Sequence, residues 1–346
     1  MGGTPSRRLA GFIRRPHSPK AAFVTRRTSL ARALATAAAF AGCGPPAIPS
    51  LPPDSFAFGV FGDGPYYRWE QGRFDRVLAD VRNADVGWLL HVGDILWTPC
   101  SDEAFEERRR DFQSVGHPVI YTPGDNEWTD CHDPRAGGYA PLDRLASLRR
   151  IFFSDPVRSL GNPSMSVASQ ASDSAFAEFP ENGLWRRGGF VFATIHIVGS
   201  GNGLESFPQR SAADDAEVEQ RTRAAIEWLD HAFASARTEG AKGIVLAMHA
   251  DPHFEGAHEP GGPWTGLIAR LREKVAGFAG PVLLIHGDSH IQRVDQPLTD
   301  ATGATLANFT RLETFGSPDI GWIRVVVDTV AGRITAFEPR RFRGWW

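Results

Sequence analysis

From Ser55 onward, short apolar runs alternate with stretches whose apolar positions recur every three or four residues. The runs Phe56 to Phe61, Val86 to Val92, Val119 to Tyr121, Phe190 to Val198, Gly243 to Met248 and Val282 to Ile285 are rich in branched and aromatic residues, which predicts strands. They are apolar almost throughout, so both faces of each strand are expected to be covered, as in parallel sheets. Arg73 to Arg82, Glu103 to Phe112, Leu142 to Phe152, Ala216 to Ala236 and Leu267 to Ala276 carry the helical period, and the alternation reads as βαβ units. Gly321 to Asp328 and Arg333 to Glu338, joined by Thr329-Val330-Ala331-Gly332, predict a final hairpin. Ser154 to Gly189 is rich in Ser, Asn, Gly and Pro without a period, and reads as a long insertion loop of the kind that forms lids. The class is α/β, with one body over 55–340 and a tail at 341–346.

The chain has 346 residues, 42% of them hydrophobic and 22% charged, as in ordinary globular proteins. Charge is uneven: residues 1–43 hold eight Lys or Arg and no acid, so the remainder carries 29 basic against 40 acidic residues, a net of −11. So acidic a body disfavours nucleic acid as a partner. Within the basic segment, Arg26-Arg27 resembles a twin-arginine export motif, Leu30 to Gly42 is a short Ala-rich apolar stretch, and Phe40-Ala41-Gly42-Cys43 resembles a bacterial lipobox. The expectation is an exported bacterial protein of the periplasm or cell envelope, touching membrane only through lipid on Cys43. Gly44 to Pro53, with five prolines, reads as a stiff tether over 44–54. With Cys43 lipidated, Cys100 and Cys131 remain, each six residues after an aspartate (Asp94 and Asp125). On neighbouring strands they would leave the sheet at matching positions, where a disulfide is plausible. Unpaired thiols or zinc ligation are the alternatives, although no CxxC spacing supports zinc.

The chemistry lies in what ends each strand. Gly62-Asp63, Gly93-Asp94, Gly124-Asp125, Met248-His249 and Gly287-Asp288-Ser289-His290 place acids or imidazoles directly after apolar runs. Ligands of open α/β sheets bind beyond the carboxyl ends of strands. Four aspartates gathered there would repel one another unless cations neutralise them, which points to two divalent ions.

The order Gly62-Asp63, Gly93-Asp94, Gly124-Asp125-Asn126-Glu127, His249, Gly287-Asp288-Ser289-His290 resembles the calcineurin-like metallophosphoesterases over residues 55–340. The resemblance implies a four-layer α/β/β/α sandwich of two mixed sheets flanked by helices. It further implies that Asp63 and His290 hold a first metal, that Asp94 bridges, and that Asp125, His249 and Asp288 hold a second. The implied reaction is hydrolysis of a small-molecule phosphate ester, mono- or diester, by a hydroxide bridging the two cations. Oxygen-rich coordination favours Mn²⁺ or Mg²⁺ over zinc, with iron compatible. Three positions depart from the pattern. Pro65 replaces a ligand histidine, leaving Tyr66, one residue on, as a candidate phenolate. Asp288 stands for the first histidine of Gly-His-x-His. Asn126 replaces the histidine that protonates the leaving group, and an amide cannot do that work. His91, His253 and His286 are the candidate replacements. Arg149, Arg150, Arg186 or Arg187 could clamp a phosphate, and Trp128, Trp185 or Trp264 could stack a base or sugar. The rival reading is a metal-binding scaffold with weak or no catalysis. Gly199-Ser200-Gly201-Asn202-Gly203 lacks the last glycine of a dinucleotide fingerprint, and no Gly-x-Ser-x-Gly nucleophile turn occurs.

Overall fold

The computed structural model describes residues 47–256 and 262–343. The export motif, Cys43, the first residues of the tether and the last three of the tail lie outside the described residues. The rest of the tether is docked: Ile48 and Leu51 pack against the core, and Arg324 donates to the Pro49 carbonyl at 2.8 Å.

Thirteen strands form two mixed sheets among the described residues. The first contains β1 (Ser55–Phe61), β2 (Leu89–His91), β3 (Pro118–Tyr121), β4 (Leu160–Gly161), β12 (Gly321–Asp328) and β13 (Arg333–Arg341), in the order β13-β12-β1-β2-β3-β4. The second contains β5 (Ala168–Ser169), β6 (Gly183–Arg187), β7 (Phe190–Thr194), β8 (Gly243–Ala247), β9 (Val282–His286), β10 (Arg293–Asp295) and β11 (Phe309–Glu313), in the order β10-β11-β9-β8-β7-β6-β5. β1, β2 and β3 run parallel, as do β7, β8, β9 and β11, and antiparallel strands extend both edges. α1 (Gln71–Arg82), α2 (Asp102–Ser114) and α3 (Pro141–Phe152) cover the first sheet. A one-turn α4 (Gly199–Asn202) precedes the long α5 (Ala212–Thr238), which with α6 (Thr265–Ala276) covers the second. The expected α/β/β/α layering is therefore present.

Strand parity explains the layers. In β1, Phe56, Phe58 and Val60 face the second sheet, while Ala57 and Phe61 face the helices. Between the sheets Phe58 stacks on Trp88 (5.2 Å between centroids) and Trp185 on Phe192 (5.4 Å). Burying each such side chain contributes roughly 1.5–3 kcal/mol. Both faces are apolar because both are covered, as the unbroken runs predicted.

The structure corrects several boundaries. Val86 to Val92 is a strand only over Leu89–His91, and the strand within Phe190 to Val198 ends at Thr194. Residues 154–189 do not form a lid. They supply β4 to the edge of one sheet and β5 and β6 to the edge of the other, stitched by short 3-10 turns. Such brief edge strands carry too few residues for a readable period. β10 and β11, also unforeseen, are interrupted by charge: Arg293, Asp295, Arg311 and Glu313 sit within them and pair with one another or with Glu255. No helix among the described residues is long and apolar enough to cross a membrane.

Candidate metal centre

The parallel strands end in register. Phe61, His91 and Tyr121 are neighbours across the first sheet, and Thr194, Ala247 and Ile285 across the second. The residues just beyond them therefore meet at one edge. Ligand atoms of Asp63, Asp94 and His249 lie within 4.8 Å of one another, as do those of Asp125, His249 and Asp288. His249 Nε2 is 2.8 Å from Asp125 Oδ1 and 3.3 Å from Asp94 Oδ1. His290 Nε2 is 3.7 Å from Asp63 Oδ1. All six aspartates and histidines of the sequence expectation thus converge.

The backbone is bent to bring them there. Asp63, Asp94, Asp288 and His290 hold positive φ values of 54°, 57°, 75° and 63°. Asp, Asn and His tolerate this region better than other side chains, and such strain gathers at functional sites. The neighbouring glycines make room. A Cβ on Gly124 would meet Asp94 Oδ1 at 2.2 Å, and one on Gly287 would meet Asp63 Oδ2 at 2.1 Å. These two glycines let a carboxylate from another strand end, in the same sheet for Gly124 and in the facing sheet for Gly287, lie directly on the main chain.

Each carboxylate is aimed by a neighbouring loop. Asp63 accepts the Asp288 N–H (2.8 Å) and the Thr314 hydroxyl (3.1 Å), and Asp288 accepts the Asp251 N–H (2.9 Å). Asp125 accepts the Gly199 N–H (3.2 Å) and the Ser200 hydroxyl (2.9 Å). Glu127 Oε1 ties the first two loops together, accepting the N–H groups of Asp94 and Gly124 and the Tyr121 hydroxyl. Cys100 and Cys131 are disulfide-bonded, with Cα atoms 5.7 Å apart, and fasten the segments that follow Asp94 and Asp125.

Both histidines donate Nδ1–H to main-chain carbonyls, His249 to Val92 and His290 to Ser317, each at 2.7 Å. That turns Nε2 of each ring toward the carboxylates, the orientation metal-ligating imidazoles adopt. Burial, then the carboxylates of Asp125, Glu127 and Asp63, push Asp94 well above the ordinary carboxylate value. Burial and its acidic neighbours raise Asp288 to about 6. Burial would lower His249, but Asp94, Asp125 and Asp63 outweigh it and raise the imidazole well above its usual value. Three buried carboxylates and a half-buried fourth, Asp288, against two imidazoles are short of positive charge, and this donor set could hold a metal cation.

Tyr66 enters the same cluster. Its hydroxyl donates to Asp94 Oδ2 at 2.5 Å and stands 3.2 Å from His290 Nε2, in the space beside Pro65. Asn126 is buried beside Asp94, whose Oδ1 accepts its N–H at 3.1 Å. The other sequence candidates lie elsewhere. Parity puts His91 on the helix side of β2, in contact with Phe61, Phe112 and Tyr121, where burial lowers its pKa well below the usual value. His286 is buried and pushed down to about 4 by that burial. His253 stands on the loop beyond Asp251 with a side chain 63% exposed, its Nδ1 3.6 Å from Asp251.

None of the four arginines serves as a phosphate clamp in this structure. Arg149 grips buried Glu181, Arg150 pairs with Asp102, and Arg186 pairs with Glu239. Arg187 pairs in register with Phe190, at the start of β7, opposite the metal edge. Trp128 and Trp185 are core residues, and Trp264 packs against His253. The sequence reading missed Ser200, Thr314 and Asp251. The one signal for Ser200 was its glycine-rich surroundings: Gly199 and Ser200 cradle Asp125 instead of a dinucleotide.

A scan against protein-family profiles found no match, and neither did a search of characterised proteins. Among solved structures, the chain is similar to protein TT1561 of Thermus thermophilus, at 12% identity over 83% of this chain and 99% of that one, with a TM-score of 0.42. It is also similar to a 5'-nucleotidase from Candida albicans, at 12% identity over 80% of this chain and a TM-score of 0.38, spanning only 48% of that protein. A protein serine/threonine phosphatase from Saccharomyces cerevisiae aligns at 14% identity over 85% of this chain and 81% of that one, with a TM-score of 0.33. Scores of this size carry no functional argument, so function has to be read from the site.

Proposed function

We propose that the chain is a metal-dependent hydrolase of small phosphate esters. The reading rests on one observation: four aspartates, three of them fully buried, and two imidazoles meet at the strand ends with the imidazole Nε2 atoms turned inward. Asp63, His290 and Tyr66 would hold one cation, Asp125, His249 and Asp288 the other, and Asp94 would touch both. When bound, the cations supply charge neutralisation, polarisation of a phosphoryl oxygen and activation of water. The chain's own work is to hold these donors rigid: the Nδ1 bonds of His249 and His290, the Glu127 tie and the disulfide remove the freedom that would blur the geometry.

Proton delivery to the leaving group is the weak point of the design. Asn126 cannot provide it, while His91 and His286 are sealed in the core. His253 is the solvent-exposed one of the three candidate imidazoles, and we assign it that role. With Asn126 in the place of the acid and this work left to one solvent-exposed imidazole, turnover should be faster for esters with good leaving groups, which need little protonation.

The test is metal analysis of the protein, combined with hydrolysis of an activated aryl phosphate and its bis-ester, with and without Mn²⁺. Two bound metals and metal-dependent release are expected, and the ratio of the two rates separates monoesterase from diesterase. Bound metal without hydrolysis would favour the scaffold reading, with Asn126 as its cause. Absence of metal would overturn both. We further propose, from residues 1–43, export to the cell envelope with a lipid on Cys43, in keeping with the oxidised cysteine pair.

A further inference from the structure

The turn that follows Asp63 carries two aromatic side chains that the core does not use. Tyr67 and Trp69 are 49% and 52% exposed. Trp69 is the one exposed tryptophan among the described residues; Trp88, Trp128, Trp185, Trp228 and Trp322 are buried. Leaving such large apolar rings in water forgoes the stabilisation their burial would give.

The pair is held in place. The buried carboxylate of Glu70 accepts the N–H groups of Tyr66 (2.7 Å) and Tyr67 (3.2 Å) and the Ser317 hydroxyl (2.6 Å). This anchors the turn from within and sends Tyr67 and Trp69 outward together. Their rings lie parallel, 5.7 Å between centroids and 8° between planes. The Arg73 guanidinium sits 4.7 Å from the Trp69 ring. Arg68, between the two aromatics, is exposed and has no acidic partner among the described residues. Tyr66, one residue before the stack, reaches Asp94 and His290, so platform and metal centre share a single short turn.

We propose that the Tyr67–Trp69 stack, with Arg68 and Arg73, is a leaving-group subsite that selects phosphate esters carrying a planar aromatic ring. The inference rests on the phosphoesterase reading and adds the substrate class. The stack begins one residue after Tyr66, so a leaving group that projects from the strand ends along this turn would meet it. A flat ring gains there from stacking and from nearby cations, whereas an alkyl group gains neither. The arginines also favour an anionic ligand at the rim of an otherwise acidic body.

The experiment measures calorimetric binding of phenylphosphonate and methylphosphonate to the Mn²⁺-loaded full chain and to the Tyr67→Ala/Trp69→Ala variant. The two probes share a charged head and differ by the ring, and neither is hydrolysed, so turnover is not needed. The intact protein should bind the phenyl probe about tenfold more tightly, and the variant should lose that preference. Equal binding of both probes to the intact protein would overturn the subsite and leave the metal centre standing. A preference that persists in the variant would also overturn it, by placing the ring elsewhere. Failure of both probes to bind would overturn the metal-centre reading itself. Binding of anionic vesicles through Tyr67 and Trp69, without any ring preference, would assign the patch to a membrane surface and refute the proposal.

Discussion

Two of the buried ionic clusters among the described residues are built on opposite principles. At the edge of the second sheet, Glu181 is fully buried with the Arg149 guanidinium on both its oxygens, at 2.6 and 3.2 Å, and with His196 Nδ1 at 2.7 Å. Burial alone would raise its pKa, but Arg149 and the imidazole hold it at about 2. That cluster is complete as the chain supplies it. At the strand ends the partners of the carboxylates are imidazoles, and burial leaves Asp94 and Asp288 raised. A buried carboxylate with an arginine is thus a structural element, whereas several sharing two imidazoles have the donor set that could hold cations.

The largest test of the contrast is Asp94→Asn. It should remove bound metal and depress aryl phosphate hydrolysis by more than the ~10–100-fold typical of residues that only orient ligands. Retention of metal and rate, read by elemental analysis and initial velocities, would break the assignment. Next is Arg149→Ala, which leaves Glu181 buried without its cation. A loss of roughly 3–5 kcal/mol at neutral pH is expected from urea unfolding, with metal content unchanged. Removing the disulfide with Cys100→Ser/Cys131→Ser opens a loop of sequence separation 31. It should cost about 2–4 kcal/mol and loosen the metal-bearing segments.

The pH dependences should run in opposite senses. Glu181 has a folded value of about 2, below the ~4.3 of an unfolded glutamate. It therefore stabilises above about pH 4.3, and that contribution is lost as pH falls toward 2. Asp288, raised to about 6, does the reverse: between about pH 4 and 6 the metal-free protein loses stability as pH rises, by an order of 1–3 kcal/mol. Saturating Mn²⁺ should abolish the second trend and leave the first. A metal-free melting profile that stays flat from pH 4 to 6 would contradict the uncompensated cluster. Smallest of all, Arg186→Ala breaks an exposed pair with Glu239 and should change stability by less than about 1 kcal/mol, with hydrolysis unaffected.

Much of this is legible in the chain alone. Unbroken apolar runs such as Phe56–Phe61 and Val282–Ile285 announced strands covered on both faces, and the acids that ended them announced a site at one edge. The cysteines, equally spaced after Asp94 and Asp125, paired as their positions allowed. What was missed followed physical rules of its own. β4 and β5 are two-residue edge strands and β6 lies next to an edge, all held by pairing to a neighbour more than by any period of their own. Residues 154–189, without pattern, therefore read as a loop. Arg149 and Arg186 looked like free cations because a linear chain does not reveal Glu181 and Glu239 as their partners. Trp128 and Trp185 looked available, yet the core absorbed them and left Tyr67 and Trp69 outside.

By itself, then, the sequence determined the class of fold and the inventory of chemistry, because apolar periodicity and strand-end residues are local properties written in order along the chain. Only the tertiary structure decided which groups do what. Whether His91 faces the helices or the site depends on strand parity within a folded sheet. Whether a carboxylate rests on an arginine or awaits a cation depends on which residues, far apart in sequence, are brought within a few ångströms.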